Sequence, residues 1–177
     1  MSGYRGDPQL TAETVDDDCW IYTGDIGALD ADGRLSIVDR KKELIISAFG
    51  KNMAPSKIEF AIKSADPVIS QICVIGDARA FVTALIVVDP DIAATLNNVD
   101  DQRPLNDQPA VTAAVHQAVT VGNAELSRVE QVKRYRILDT EWAPGGDELS
   151  PTMKLKRKQI AYKYRDVIDE LYSGATP

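Results

Sequence analysis

Short hydrophobic runs in the first half of the chain predict β-strands joined by tight turns. Half-apolar runs at residues 26–29 and 34–38 flank Asp30-Ala31-Asp32-Gly33, a turn sequence that predicts a β-hairpin preceded by irregular chain. Residues 43–47 form another short strand candidate, closed by Gly50. Strongly β-prone runs at 69–75 and 81–88 are separated by five residues, which favours an antiparallel pair.

Helical spacing of apolar residues predicts about three helices. One begins at Ala54-Pro55-Ser56, a second runs from residue 109 to about residue 126, and a third covers residues 158–172. Residues 135–138 add a short strand, and residues 97–108 read as a surface loop. The predicted fold class is α+β: a small mixed β-sheet with about three covering helices plus a short N-terminal β-hairpin.

The composition limits the classes of protein to which the chain can belong. Its 177 residues are 44% hydrophobic and 27% charged, as expected of one globular domain. Two cysteines exclude a disulfide framework and a cysteine-rich metal cluster, and the longest apolar run, residues 84–88, is far shorter than a membrane span. The N-terminus lacks the apolar segment of a signal peptide, so we expect a cytoplasmic protein.

Charge is unevenly distributed within the net value of -7. Eight acids and a single base, Arg5, lie in residues 1–32, whereas six bases and no acid lie in residues 154–165. The acidic total, the 6% aromatic content and the absence of a known binding module argue against nucleic-acid binding. Lys158, Lys163 and Arg165 are instead predicted to form a solvated helix face. Lys154 differs because it precedes the helix, on a loop-like segment that could swing a positive charge towards a phosphate.

The other candidate motifs give weaker evidence for a functional site than Lys154 does. A calcium loop centred on Gly33 would place its first and twelfth ligands at Ala28 and Asp39, so a plain turn is preferred and no metal site is predicted. His116 has no visible orienting partner for acid–base catalysis, and neither glycine-rich phosphate-binding motif is present. Asp25 could accept two hydrogen bonds from a ribose diol, or could simply belong to a turn.

The order of four segments along the chain gives a stronger indication of function than any single motif. They are Tyr22-Thr23-Gly24-Asp25, residues 33–45 with the run Asp-Arg-Lys-Lys-Glu, residues 50–59, and residues 149–157 with the ending Pro-Thr-Met-Lys-Leu-Lys-Arg. This order resembles the C-terminal region of the AMP-forming acyl-CoA synthetases of the adenylate-forming superfamily. The long-chain fatty acyl-CoA synthetases match best, and the resemblance spans essentially the whole chain.

The resemblance implies a fatty acid–CoA ligase that uses ATP, Mg²⁺ held through the ATP, and CoA. Such enzymes form an acyl-adenylate and pyrophosphate from a carboxylic acid and ATP, then transfer the acyl group to CoA and release AMP. A small C-terminal lid rotates between the two half-reactions. The implied partners are the enzyme's own N-terminal adenylation domain, a fatty acid and CoA, but no nucleic acid; peripheral membrane association of the full-length enzyme is also compatible with the family.

Roles for three residues near the N-terminus follow from the resemblance. Asp25 resembles the carboxylate that holds the ribose hydroxyls of the nucleotide. Arg40 resembles the arginine that contacts the nucleotide from the start of the lid, and Lys42 matches the hinge position. On this basis residues 1–39 are expected to be a remnant of the large adenylation domain that includes the ribose-binding motif, and residues 40–177 the mobile lid.

Three further residues resemble groups that act from the lid. Lys154 resembles the catalytic lysine that reaches the α-phosphate and the carboxylate during adenylation. Gly50 and Lys51 lie in the loop that would face the pantetheine of CoA. In several relatives a basic residue lies six positions after the arginine, whereas this chain has Ile46, so Lys51 is a candidate replacement.

Two alternatives to the CoA ligase remain open. One is the lid of a fatty acyl-AMP ligase that delivers its product to a carrier protein, and the other is a non-catalytic interaction module. The joint presence of the nucleotide, hinge and lysine positions favours an enzyme over such a module. No Ser/Thr/Gly-rich phosphate loop precedes Asp25, so the chain is expected to be an excised C-terminal region that is inactive by itself.

Overall fold

The computed structural model describes residues 2–97, 99 and 103–173. The chain divides into two compact units, Met1–Leu44 and Ile45–Pro177. Within the described residues there are six α-helices and seven strands, and the strands form two two-stranded sheets and one three-stranded sheet. The predicted α+β class is therefore confirmed. None of the helices in this part of the chain is long and apolar enough to cross a membrane.

The first unit contains a helix that the sequence analysis missed. Helix α1, Pro8–Thr14, begins with proline at its first position, and the carboxylate of Asp7 accepts the Leu10 N–H at 2.9 Å. An aspartate directly before a proline is a helix-start signal, because the proline needs no hydrogen-bond partner there and the carboxylate satisfies a donor that the helix leaves unpaired. The expectation of irregular chain before the hairpin was wrong at these residues.

The predicted hairpin of the first unit is present. Strands β1, Asp25–Leu29, and β2, Leu35–Arg40, are antiparallel, and Gly33 in their turn has φ of 79°. One carboxylate oxygen of Asp30 accepts the backbone N–H groups of Asp32 and Arg34, at 2.9 and 2.8 Å. These bonds close the turn, as the plain-turn interpretation requires.

The second unit is built on a mixed three-stranded sheet. It contains strands β5, Ile69–Ile75, β6, Val82–Val88, and β7, Val132–Ile137, in that spatial order. Strands β5 and β6 are antiparallel as predicted, and β7 runs parallel to β6. A separate two-stranded hairpin pairs β3, Ile45–Ile46, with β4, Asn52–Met53. The strand predicted at 43–47 is therefore only two residues long. It follows a 3-10 turn at Lys41–Glu43, which belongs to the first unit.

Helices cover both faces of the three-stranded sheet. Helix α2, Pro55–Lys63, and helix α4, Pro109–Ala124, agree with the predicted helices. The short helix α3, Pro90–Ala94, was not predicted. The loop predicted at 97–108 lies partly outside the described residues, and its described end forms a 3-10 turn at Leu105–Asp107.

The last predicted helix is in fact two helices. Helix α5, Arg157–Lys163, and helix α6, Arg165–Ser173, are separated at Tyr164, whose φ of −103° and ψ of 21° lie outside the helical range. The Tyr164 hydroxyl donates to Glu148 at 3.0 Å and accepts from the Trp142 indole N–H at 3.1 Å. The apolar spacing continues across this break, so periodicity alone predicts a single helix.

Strand β6 is the centre of the core, since all seven of its residues are buried. Alternate side chains of β6 enter two hydrophobic clusters, one shared with α2 and α4, the other with α5 and α6. Helices α2 and α4 approach so closely that a Cβ added at Gly122 would lie 2.6 Å from the Ile62 Cα. The segments around residues 50 and 154 both belong to this second unit.

Candidate functional site

In the first unit, the structure brings Asp25 and Arg40 together at the end of the β1–β2 hairpin opposite its turn. The two residues are register partners, and Arg40 Nε lies 2.8 Å from Asp25 Oδ1. The backbone N–H of Asp25 donates to Thr23 Oγ1 at 3.1 Å, which fixes the entry into the strand. The two residues belong to separate sequence motifs, and neither motif predicts that they form an ion pair.

The Asp25–Arg40 pair keeps both charged groups accessible. The Arg40 side chain is 60% exposed and that of Asp25 is 28% exposed. Within the described part of the chain, the second carboxylate oxygen of Asp25 has no hydrogen-bond partner. This oxygen can accept a hydrogen bond from a hydroxyl group, and the guanidinium N–H groups that do not bind Asp25 or the Thr23 carbonyl can bind an anion.

Lys42 lies in the 3-10 turn that follows Arg40 and has an exposed side chain. The N–H of its neighbour Lys41 donates to the carbonyl of Gly24 at 2.8 Å, so the start of this turn is attached to the hairpin. Lys42 is three residues before Ile45, where the second unit begins. A hinge at Lys42 remains a prediction.

In the second unit, Lys154 lies on a tight turn formed by residues 149–155, which we call the Lys154 turn. Leu149 and Leu155 form an antiparallel bridge, and the Ser150 N–H donates to the Lys154 carbonyl at 2.8 Å. The Lys154 N–H donates to Ser150 Oγ at 3.0 Å, and Met153 adopts a left-handed φ of 64°. The predicted loop is therefore a closed, hydrogen-bonded turn, and any swing would have to move the turn as a whole.

The Lys154 side chain is exposed, and within the described residues its ammonium group has no hydrogen bond or ion pair. Its basic neighbours differ. Lys156 Nζ donates to the Gly146 carbonyl at 2.7 Å, and Arg157 binds Glu59 through both terminal nitrogens at 2.6 and 2.7 Å. The six bases of residues 154–165 therefore do not form one solvated patch.

Lys158, Lys163 and Arg165 are exposed as predicted, but Lys163 also forms an ion pair. Its ammonium donates to Glu148, a buried residue, at 2.7 Å. Burial acts to raise the pKa of Glu148, but the hydrogen bonds from Lys163 and Tyr164 hold that pKa below its usual value. Glu148 thus stays ionised and ties the segment before the Lys154 turn to the end of α5.

Glu59 is a residue that the sequence analysis missed. It lies on α2, its side chain is 12% exposed, and Oε1 also accepts the Val74 N–H at 2.9 Å. A signal for it does exist in the sequence, because positions 55, 58, 59 and 62 share one helical face and the other three are apolar and buried. An acid within such a stripe indicates a buried basic partner.

Gly50 and Lys51 are brought together at the tip of the β3–β4 hairpin. The Gly50 N–H donates to the Ser47 carbonyl at 2.9 Å, and the Ser47 N–H donates to the Lys51 carbonyl at 3.0 Å. Gly50 has φ of 75°, a conformation that glycine adopts without strain. Phe49 at the same tip is 82% exposed, and Ile46 on β3 is 51% exposed.

The remaining candidates are not part of these groups. The described residues contain no cluster of three or more His, Cys, Asp or Glu side chains that could hold a metal ion. The Nδ1 atom of His116 lies 3.3 Å from the Tyr135 hydroxyl, a contact that the sequence did not predict.

The two cysteines are expected to differ in reactivity. Cys19 is exposed and Cys73 is buried, and burial raises the pKa of the Cys73 thiol to about 12, with Glu59 adding to this rise and Arg157 opposing it. Because the thiolate is the nucleophile and a raised pKa keeps the thiol protonated, iodoacetamide at about pH 8 should alkylate Cys19 and spare Cys73. Mass spectrometry of the labelled chain measures this, with labelling in urea as the control. Equal labelling of both cysteines in the native protein would contradict it.

Curated relatives match nearly all of the chain. It is 51% identical to the putative fatty-acid–CoA ligase FadD11 of Mycobacterium tuberculosis over 181 residues, which cover 98% of this chain and 31% of that protein. It is 39% identical to the long-chain-fatty-acid–CoA ligase FadD15 of the same species, covering 98% of this chain and 30% of the relative. The chain thus spans less than a third of the length of either relative.

Solved structures show the same fold. The A domain of a carboxylic acid reductase from Segniliparus rugosus, in complex with AMP and a co-purified carboxylic acid, matches with a TM-score of 0.79 and 26% identity. That match covers 98% of this chain and 26% of the other. The adenylation domain of a carboxylate reductase from Mycobacterium chelonae matches with a TM-score of 0.80 and 26% identity, over 97% of this chain and 26% of the other.

The sequence comparison and the fold comparison therefore indicate the same family of proteins. The Lys154 turn and the three-stranded sheet both lie within the segment that this chain shares with these proteins. Since residues 42–176 match the AMP-binding enzyme C-terminal domain, the chain belongs to that family of adenylate-forming enzymes.

Proposed function

We propose that this chain is the C-terminal part of an ATP-dependent long-chain fatty acid–CoA ligase. The enzyme would convert a fatty acid and ATP into acyl-AMP and pyrophosphate, and then acyl-AMP and CoA into acyl-CoA and AMP. The observation that carries the proposal is the exposed ammonium of Lys154, which has no partner within the described residues and is held on a hydrogen-bonded turn. Relatives named as fatty-acid–CoA ligases, similar over 98% of the chain, supply the substrate class.

Lys154 would act electrostatically during adenylation. When the fatty-acid carboxylate attacks the α-phosphorus of ATP, negative charge builds up on the phosphoryl oxygens and on the departing pyrophosphate. A fixed ammonium beside these oxygens stabilises that charge without transferring a proton. Its lack of a competing carboxylate in the described part of the chain supports this role, because its charge is not already neutralised.

Asp25 and Arg40 would bind the nucleotide from the hairpin. The carboxylate oxygen of Asp25 that does not face Arg40 would accept a ribose hydroxyl, while the 60% exposed guanidinium of Arg40 would face the phosphates. The ion pair between them fixes both side chains before the nucleotide arrives, which lowers the entropy cost of binding. Mg²⁺ would enter with ATP, held through its phosphates.

The second half-reaction would use the β3–β4 hairpin. We propose that the lid, predicted at residues 40–177, turns about Lys42 against an adenylation domain to which residues 1–39 belong, so that the chain after Lys42 rotates while Arg40 stays paired with Asp25 on the hairpin. Gly50 and Lys51 would then face the pantetheine of CoA, and Lys51 would supply the positive charge that Ile46 does not. The exposed position of these residues at a hairpin tip supports the proposal.

The experiment that tests this function separates the two half-reactions in the full-length ligase. Pyrophosphate exchange into ATP, dependent on added fatty acid, measures adenylation, and acyl-CoA formed from supplied acyl-AMP measures transfer. Fatty-acid-dependent exchange followed by CoA-dependent release of AMP supports the proposal. An absence of exchange with fatty acids of every chain length would contradict it.

Two features favour a second candidate, a ligase that passes acyl-AMP to a carrier protein. Ile46, half-exposed and apolar, stands where the resemblance implies a base, and the chain also matches the A-PCP didomain of a carboxylic acid reductase with a TM-score of 0.77. Replacing CoA by a phosphopantetheinylated carrier protein in the transfer assay distinguishes the two. Acyl transfer to the carrier protein but not to CoA would favour this second candidate.

The nucleotide role of Asp25 gives a prediction of its own. In the full-length ligase, Asp25→Ala should raise the KM for ATP by about 10- to 100-fold, because a hydrogen bond to a charged group contributes about 1.5–3 kcal/mol. The matched control is Asp32→Ala, which removes an exposed acid from the turn of the same hairpin. Exchange kinetics at varied ATP measure both variants. Equal KM values for the two variants would contradict the assignment.

A further inference from the structure

We propose that Glu59 and Arg157 are positioning residues for Lys154: their ion pair fixes the base of the Lys154 turn to the central sheet, so that the ammonium is delivered to one place. This inference rests on the proposed role of Lys154 in adenylation. It concerns two residues that have no contact with the substrates and act through the turn.

The Glu59–Arg157 pair has the geometry of a rigid connection. Two parallel bonds of 2.6 and 2.7 Å join the guanidinium to the carboxylate, and the side chains are only 21% and 12% exposed. Oε1 of Glu59 also accepts the backbone N–H of Val74, near the end of β5. Bidentate pairs fix orientation as well as distance, so Arg157 is held against the sheet and not only near it.

A segment of two residues, both part of the bridge that closes the turn, connects this pair to Lys154. Arg157 is the first residue of α5 and lies three residues after Lys154. Between them, Leu155 bridges to the fully buried Leu149, and the Lys156 N–H donates to the Glu148 carbonyl at 2.7 Å. The hydrogen-bonded bridge of the turn therefore ends at Lys156, directly before the anchored arginine.

Such a connection matters because the turn by itself fixes only local geometry. The bonds between Ser150 and Lys154 close the turn, but they do not determine where it lies relative to the sheet. Electrostatic stabilisation of a transition state depends on groups placed beforehand, and a displacement of about 1 Å can reduce the rate about 100-fold. The burial of Leu149 against β6 residues holds one side of the turn, and the ion pair fixes the other side, where Lys154 leads into α5.

The test compares Glu59→Gln with a matched carboxylate elsewhere in the same unit. The matched variant is Glu130→Gln: the side chain of Glu130 is 13% exposed, and it binds Lys57 at 3.0 Å. In the full-length ligase, Glu59→Gln should lower kcat for fatty-acid-dependent pyrophosphate exchange by about 10- to 100-fold with an unchanged KM for ATP. It should leave acyl transfer from supplied acyl-AMP to CoA unchanged, and Glu130→Gln should change neither rate.

A second variant keeps the test valid if Glu59→Gln does not fold. Arg157→Lys retains the buried positive charge but cannot form two parallel bonds, so we expect it to fold and to show the same selective loss of kcat. Thermal unfolding of each variant verifies the fold. Normal exchange by folded Arg157→Lys would overturn the proposal, as would equal losses in the Glu59 and Glu130 variants.

A double variant shows whether the pair acts through Lys154. If it does, adding Glu59→Gln to Lys154→Ala should cause no further loss of exchange, because the group being positioned is already absent. Additive losses would mean that Glu59 acts in some other way and would overturn the inference. Failure of the proposed function looks different, since Lys154→Ala alone would then leave exchange intact.

Discussion

Lys154→Ala is expected to slow adenylation by the full-length ligase about 100- to 1000-fold, the typical cost of removing one group that stabilises transition-state charge. Acyl transfer to CoA from supplied acyl-AMP should stay unchanged, because no pyrophosphate leaves in that step. The backbone of the turn should survive, since its bonds use the Lys154 N–H and carbonyl and not its ammonium. Fatty-acid-dependent pyrophosphate exchange measures the first rate, and acyl-CoA formation the second.

Lys158→Ala is the matched control for this experiment. Lys158 is exposed, lies four residues further along on α5, and like Lys154 has no ion pair within the described residues. Lys158→Ala should leave the rates of both half-reactions close to those of the unmodified ligase, because a solvated surface charge contributes little to stability or to catalysis. If Lys154→Ala slowed both half-reactions equally, the assignment of this lysine to adenylation would be wrong.

Arg157→Leu should destabilise the folded chain by about 3–5 kcal/mol, the usual cost of removing one partner from a buried ion pair. The carboxylate of Glu59, 12% exposed, would be left without the guanidinium that binds both of its oxygens. Urea denaturation of the 177-residue chain, followed by circular dichroism, measures the change in the free energy of unfolding.

The neighbouring Arg165 provides the control for Arg157→Leu. Its side chain is 61% exposed and its partner Asp166 is 88% exposed, so Arg165→Leu should change stability by less than about 1 kcal/mol. The two variants introduce the same residue and differ mainly in the burial of the pair that is lost. Similar losses in both would show that the Glu59–Arg157 pair is no more important to the fold than a surface contact.

Local patterns predicted the elements that depend on neighbouring residues. The β1–β2 hairpin and the β5–β6 pair have their turn signals within a few residues of both strands, so sequence spacing predicts them. The parallel pairing of β7 with β6 has no such local signal, because the partner strands are joined through α3 and α4. The break at Tyr164 was not predicted for a related reason: its hydroxyl bonds to Glu148, sixteen residues away, and no local pattern reports that contact.

The residues of the candidate site also differ in whether the sequence alone could identify them. Asp25, Arg40 and Lys154 belong to short motifs and were identified from the sequence, although their roles remain proposals. The ion pair of Glu59 with Arg157 joins residues 98 positions apart, and no motif spans that distance. Sequence reasoning can flag an acid in a buried helical stripe, but only the fold identifies its partner.

The parallel pairing of β7 also has a consequence for how the chain folds. Strands β5 and β6, with α2 before them, can form from neighbouring sequence, whereas β7 must wait until the 43 residues from 89 to 131 have been closed into a loop. Closing such a connection costs entropy before any pairing compensates for it. Helices α5 and α6 follow β7 in sequence and pack on the face of the sheet that it completes. We therefore expect the Lys154 turn to acquire its final position among the last events of folding.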